Sequence, residues 1–105
     1  MDNTIDFDNL DRPILLQFYA DWCAPCRTQT GVVNHIKADI EEYVDLRMVN
    51  LDKDREWVEE FYIRSVPTLI LLNKQGDIYW RQSGVTPPQL IVKYVMEVSE
   101  LNTIE

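Results

Sequence analysis

Ile14-Leu15-Leu16-Gln17-Phe18-Tyr19 is a nearly unbroken apolar run, the pattern of a short strand covered on both faces. From Thr28 to Tyr43 the period changes, and Val32, Val33, Ile36, Ile40 and Tyr43 fall on one stripe of a helix. Leu46-Arg47-Met48-Val49-Asn50-Leu51 reads as a second strand. Asp54 then caps a second helix with Trp57, Val58, Phe61 and Tyr62 on its apolar face. Thr68–Leu72 and Ile78–Arg81 are two further strands joined through Asn73-Lys74-Gln75-Gly76, a hairpin connection that ends in glycine. Thr86 and Pro87 open a last helix whose apolar face is Leu90, Ile91, Tyr94, Val95, Val98 and Leu101. Residues 1–13 are polar and acidic, with Ile5, Phe7 and Leu10 scattered among them, and read as a short helical turn docked on the core.

The order β-α-β-α-β-β-α requires parallel strands with crossover helices in its first half and an antiparallel hairpin near its end. This is an α/β fold, a mixed sheet sandwiched between helices. A length of 105 residues, without repeats, low-complexity tracts or linkers, fits one domain over 1–105. Hydrophobic residues at 46% and charged residues at 27% exclude disorder, collagen and a disulfide-dense scaffold. The continuous apolar stretch Thr68–Leu72 is far too short to cross a bilayer, so no membrane partner is expected. Met1-Asp2-Asn3-Thr4-Ile5-Asp6 has acidic residues and no apolar signal core. The expected location is therefore the cytoplasm, unless a leader was trimmed. Ten basic residues against 18 acidic ones give a net charge of −8, which repels phosphate backbones and makes nucleic acid a poor partner. The acidity serves solubility and names no substrate.

The two cysteines stand at Cys23-Ala24-Pro25-Cys26, where a strand ends and a helix begins. Two thiols three apart on a first helical turn close a disulfide with little backbone movement. The helix N-terminus supplies unsatisfied N–H groups and positive potential that favour a thiolate, and Pro25 suits the first turn. Redox chemistry needs the first thiol exposed as attacker and the second shielded as resolver. A purely structural bridge is disfavoured, because so short a loop stabilises little and cytosolic bridges are rare. A zinc site takes about four ligands, and only His35, read as a surface or satisfied histidine, is available to join the thiols. An intermolecular metal or iron–sulfur site across a dimer is a weaker alternative. Arg27 stands where c-type haem attachment requires histidine. The redox reading is preferred, with no metal and no cofactor beyond the disulfide itself.

Phe18-Tyr19-Ala20-Asp21-Trp22-Cys23-Ala24-Pro25-Cys26 resembles the active-site segment of the thioredoxin family. Val49-Asn50-Leu51-Asp52 on the next strand, Val66-Pro67-Thr68 before the third and Gly84 after the fourth strengthen the resemblance, which spans residues 14 to 101. It implies the thioredoxin fold and thiol–disulfide exchange through Cys23 and Cys26. It also implies a cis Pro67 beside the cysteines, which leaves the Val66 backbone free to receive an extended substrate like an added strand. Trp22, Pro25, Val66, Pro67, Gly84 and Val85 would form an apolar apron around Cys23, with Ala24 between the cysteines.

Several positions depart from the family pattern. Gln17 stands where typical thioredoxins carry a buried aspartate thought to help deprotonate the resolving cysteine, and Met48 where they carry its lysine partner. Losing both together avoids an uncompensated buried charge. Release of the mixed disulfide is then expected to be slow, with Asp21 as an alternative base. Ala24 replaces a common glycine, and Gly31 replaces a helix-kinking proline while itself weakening the helix by about 1 kcal/mol relative to alanine. Too few residues precede Ile14 for the family's first strand and helix, so a four-stranded sheet is expected.

Three functions follow from these residues. The first is a monomeric protein-disulfide reductase fed by a separate reductase, because no glycine-rich nucleotide loop is present. The second is a disulfide oxidase or isomerase of an exported compartment. The third is a binding module that keeps the fold and uses its groove to hold a partner.

Overall fold

The computed structural model describes residues 10–104, in the order β1 (Ile14–Tyr19), α1 (Ala24–Ile40), β2 (Asp45–Asn50), α2 (Arg55–Glu60), β3 (Thr68–Leu72), β4 (Ile78–Ser83) and α3 (Pro88–Ile104). Of the helical turn expected before Ile14, residues 1–9 lie outside the described residues. Leu10 is buried, and its N–H donates to the Lys74 carbonyl in the β3–β4 turn at 3.2 Å. Among the described residues the sheet has four strands in the order β2-β1-β3-β4. β1 pairs parallel with β2 and antiparallel with β3, and β3 pairs antiparallel with β4.

The apolar run of β1 is buried because successive side chains feed opposite faces of a central strand. Leu15, Leu69, Leu71 and Trp80 pack under α1 and α3, against Val33, Ile36, Ile40, Ile91, Val95 and Val98. Leu16, Phe18, Ile70 and Leu72 alternate to the other face and meet Trp57, Phe61 and Ile63 around α2. Gln17 follows the same alternation and points toward α1, where its Nε2 donates to Thr30 Oγ1 at 3.0 Å.

Element ends differ from the periodicity where backbone hydrogen bonds compete with apolar spacing. α1 stops at Ile40, and Tyr43 lies in the following turn, because the Arg12 guanidinium takes the Glu41 and Val44 carbonyls there. Asp54 stands at the N-cap of α2, yet its carboxylate accepts the Asn50 N–H at 2.8 Å instead of a helix donor. α2 ends before Phe61, and Tyr62 leaves the apolar face altogether. Its φ is 53° and it is 75% exposed. There the Ile63 N–H turns back to the Val58 carbonyl, and Arg81 donates to the carbonyls of Phe61 and Tyr62. The last helix starts one residue later than the Thr86-Pro87 signal suggests: Pro88 is its first residue and the Pro87 carbonyl accepts from Leu90 and Ile91. Leu101, expected on its apolar face, is exposed. Glycine is required at Gly76 and Gly84, whose φ values of 85° and 86° lie in the left-handed region.

Candidate functional site

β1 delivers the chain to a tight turn in which the Cys23 N–H donates to the Ala20 carbonyl at 3.2 Å. Cys23 is then the N-cap of α1, and its Sγ accepts the Cys26 N–H at 3.1 Å. A sulfur in this place meets one of the donors that a helix N-terminus leaves unsatisfied, together with the positive end of a 17-residue helix with no acidic residue in its first turn. Cys23 and Cys26 are joined as a disulfide with their Cα atoms 5.2 Å apart. Cys23 is 4% exposed and Cys26 2%, so in the oxidised pair the first sulfur is nearly as shielded as the second. This corrects the expectation of an exposed first cysteine. The sulfurs pack against each other and against Ala20, Tyr19, Leu51 and Val66, while Trp22, Ala24 and Pro25 stand out into solvent around them.

The segment before β3 closes the site from the opposite side. The Val66–Pro67 peptide is cis, and the Val66 carbonyl lies 3.7 Å from Cys23 Sγ. The Pro67 carbonyl accepts the Gly84 N–H at 2.9 Å, which brings the β4–α3 loop beside it and leaves Gly84 and Val85 exposed. Val66 therefore meets the cysteines directly, and Gly84 meets Pro67, with Val85 next to it in the chain. Trp22 is held differently. Its indole N–H donates to the Asp52 carboxylate at 2.9 Å, on the loop after β2. That loop is shaped by buried Asn50, whose Oδ1 accepts from the N–H groups of Asp52 and Lys53 at 2.8 and 3.2 Å. Asn50 and Asp52 belong to a matched segment, but only the fold shows that they orient Trp22.

On the other flank, Cys26 lines a cleft of about 380 Å³ with Tyr19, Ala20, Asp21, Arg27, Thr30 and Met48. Gln17 is 3% exposed and bonds to Thr30, one helical turn beyond Cys26. Met48 lies opposite Gln17 in the β1–β2 register and is 45% exposed. The two departures from the family pattern are thus neighbours, and a neutral amide that cannot serve as a base occupies the buried position. Asp21 is exposed on the cleft rim, where its carbonyl accepts from Arg27 at 3.2 Å. His35 is exposed on α1. Among the described residues no three His, Cys, Asp or Glu side chains converge as a metal site.

Sequence reasoning missed Gln29. Fully buried on α1, it donates through Nε2 to the Thr86 carbonyl at 3.2 Å and accepts the Thr86 N–H through Oε1 at 2.7 Å. The signal was present in the pattern, since position 29 lies on the stripe of Val33, Ile36 and Ile40 and is polar.

Comparison with known proteins places these features. The Thioredoxin family model matches residues 3–97. The chain is 32% identical to a thioredoxin of Haemophilus influenzae over 97 residues, covering 89% of this chain and 90% of that one. It is 39% identical over 84 residues to the thiol:disulfide interchange protein TxlA of Synechococcus elongatus, covering 77% of this chain and 44% of that longer protein. Among solved structures, the thioredoxin of Malassezia sympodialis superposes with a TM-score of 0.77 at 23% identity, covering 89% of this chain and 80% of that one. With the family match running almost end to end and the cysteine pair at the N-terminus of α1, the chain belongs to the thioredoxin family, whose chemistry is thiol–disulfide exchange.

Proposed function

We propose that this chain reduces protein disulfides through Cys23 and Cys26. The observation that carries the reading is the place of Cys23 Sγ, at the N-cap of α1 and across from the Val66 carbonyl. Once the pair is reduced, the Cys23 thiolate attacks one sulfur of a substrate disulfide. That S–S bond breaks, the departing sulfur takes a proton, and a mixed disulfide forms. Cys26 then loses its proton and attacks Cys23 Sγ, which releases the second substrate sulfur as a thiol. The substrate gains two electrons and the cysteine pair is left oxidised. A separate reductase returns it to the dithiol, and the pair itself carries the electrons without metal or further cofactor.

Trp22, Ala24, Pro25, Val66, Pro67, Gly84 and Val85 are the rim on which we place the substrate. Its main chain would lie against the Val66 backbone like an added strand. We assign the chain to the cytoplasm as a monomeric single domain, where a reducing poise favours the dithiol. The test is insulin reduction with dithiothreitol as electron source, alongside a redox titration of the pair. Turnover that Cys23→Ser abolishes, with a couple near about −270 mV, supports the reductase. A couple near about −120 to −180 mV moves the assignment to an oxidase or isomerase. A folded protein with no reversible couple leaves a binding module.

A further inference from the structure

A closed ring of contacts runs around the site. The Val66 carbonyl faces Cys23 Sγ, the Pro67 carbonyl holds the Gly84 N–H, and the Thr86 hydroxyl donates to the Gly84 carbonyl at 3.1 Å. Both main-chain groups of Thr86 then go to the Gln29 amide, on the same helix that begins at the cysteines and one turn beyond Cys26. Thr86 and Gln29 are both buried, so neither main-chain group can turn to water while the loop keeps its place. Besides the Gln29 bonds, the loop is held by the Gly84 N–H on the Pro67 carbonyl and by the Thr86 hydroxyl on the Gly84 carbonyl. Gly84 is exposed, with open space where a Cβ would lie, and Val85 is exposed as well. Together with the Gly84–Pro67 bond, the two Gln29 bonds therefore fix where Gly84 and Val85 stand relative to the helix that bears the cysteines.

We infer that Gln29 is a positioning residue for substrate recognition: it ties the Gly84–Thr86 loop to the cysteine-bearing helix, so that a protein disulfide finds a preformed rim. This rests on the reductase reading above. An extended protein substrate touches the rim, whereas a small aromatic disulfide needs only the sulfur. Loss of the tie therefore separates the two. In Gln29→Met, which keeps the side-chain length and removes both bonds, KM for insulin rises about tenfold and kcat stays within about twofold. The rate with 5,5′-dithiobis(2-nitrobenzoate) and the equilibrium constant against dithiothreitol also stay within about twofold.

Wild-type protein that reduces neither substrate sinks the reductase reading itself, not the tie. Working wild type with Gln29→Met unchanged on insulin, or falling equally on both disulfides, overturns the tie. Should Gln29→Met not fold, amide exchange in the wild type decides. A Thr86 N–H exchanging at least about 100-fold more slowly than the N–H of Lys74 supports the tie, and exchange as fast as in that half-buried turn overturns it.

Discussion

Gln17→Asp combined with Met48→Lys tests whether a neutral amide at the buried position bonded to Thr30, one helical turn beyond Cys26, limits release of substrate. Gln17 is 3% exposed and its amide donates to Thr30, so the single change Gln17→Asp removes that bond, worth about 1 kcal/mol. It also puts a carboxyl where burial favours the protonated form. A folded-state pKa raised by about two units costs about 2.7 kcal/mol of stability at neutral pH. The sign follows from proton binding. Below about pH 4 the acid is protonated folded and unfolded, so the penalty is absent. As pH rises the unfolded chain releases its proton first, and stability falls until the folded acid ionises too. Lysine at 48 recovers part of this loss, because Met48 faces position 17 across the β1–β2 pair and is 45% exposed, which leaves an ammonium room to reach water. The gain lies in rate. A positioned base contributes roughly 10²–10⁴-fold to a proton-transfer step, so about 100-fold is the smallest expected increase where that step limits resolution. Stopped-flow absorbance with excess protein over 5,5′-dithiobis(2-nitrobenzoate) reads attack by Cys23 as the first thiolate released and resolution by Cys26 as the second. A folded double variant whose second phase is unchanged or slower refutes the reasoning.

Three predictions concern stability. Gly31 lies inside α1 with open space where a Cβ would go, so Gly31→Ala should raise unfolding free energy by about 1 kcal/mol in urea titration; a loss would mean that the helix needs flexibility there. Tyr62 holds a left-handed conformation that costs an L-residue about 1–2 kcal/mol. Tyr62→Gly should therefore stabilise by about 0.5–1 kcal/mol after the added freedom of the unfolded chain, and a destabilised variant would show that the exposed ring makes a compensating contact. The Tyr79 hydroxyl donates to Glu97 at 2.9 Å, and this bond, with burial and the Glu97 charge, raises the phenol above its ordinary value. Its contribution is complete below about pH 10 and is lost as pH rises through the raised folded value, because the unfolded state ionises first. The stability difference between wild type and Tyr79→Phe should therefore shrink in alkaline thermal melts, and a difference independent of pH would exclude the bond as its source.

Much of the molecule was legible in the chain because its signals are local. The run Ile14–Tyr19, the stripe of Val33, Ile36 and Ile40, and the turn at Asn73–Gly76 each depend on a few neighbouring residues, and each element formed where its period placed it. The place of the cysteine pair was equally legible. Two cysteines three apart after an apolar strand suit a helix N-terminus, and there Cys23 caps α1. Distant partners decided the rest. Tyr62 fits the apolar spacing of α2, yet Arg81, 19 residues away, captures the last carbonyls and turns the chain out. Cys23 looks like an exposed thiol until Val66, 43 residues on, closes over it. Gln29 looks like an interruption in an apolar stripe until Thr86, 57 residues later, supplies the two main-chain groups that its amide satisfies. Periodicity reports which face of an element is apolar. Which buried polar group meets which is set only when separate elements come together, because a hydrogen bond depends on position to within a few tenths of an ångström and apolar burial does not.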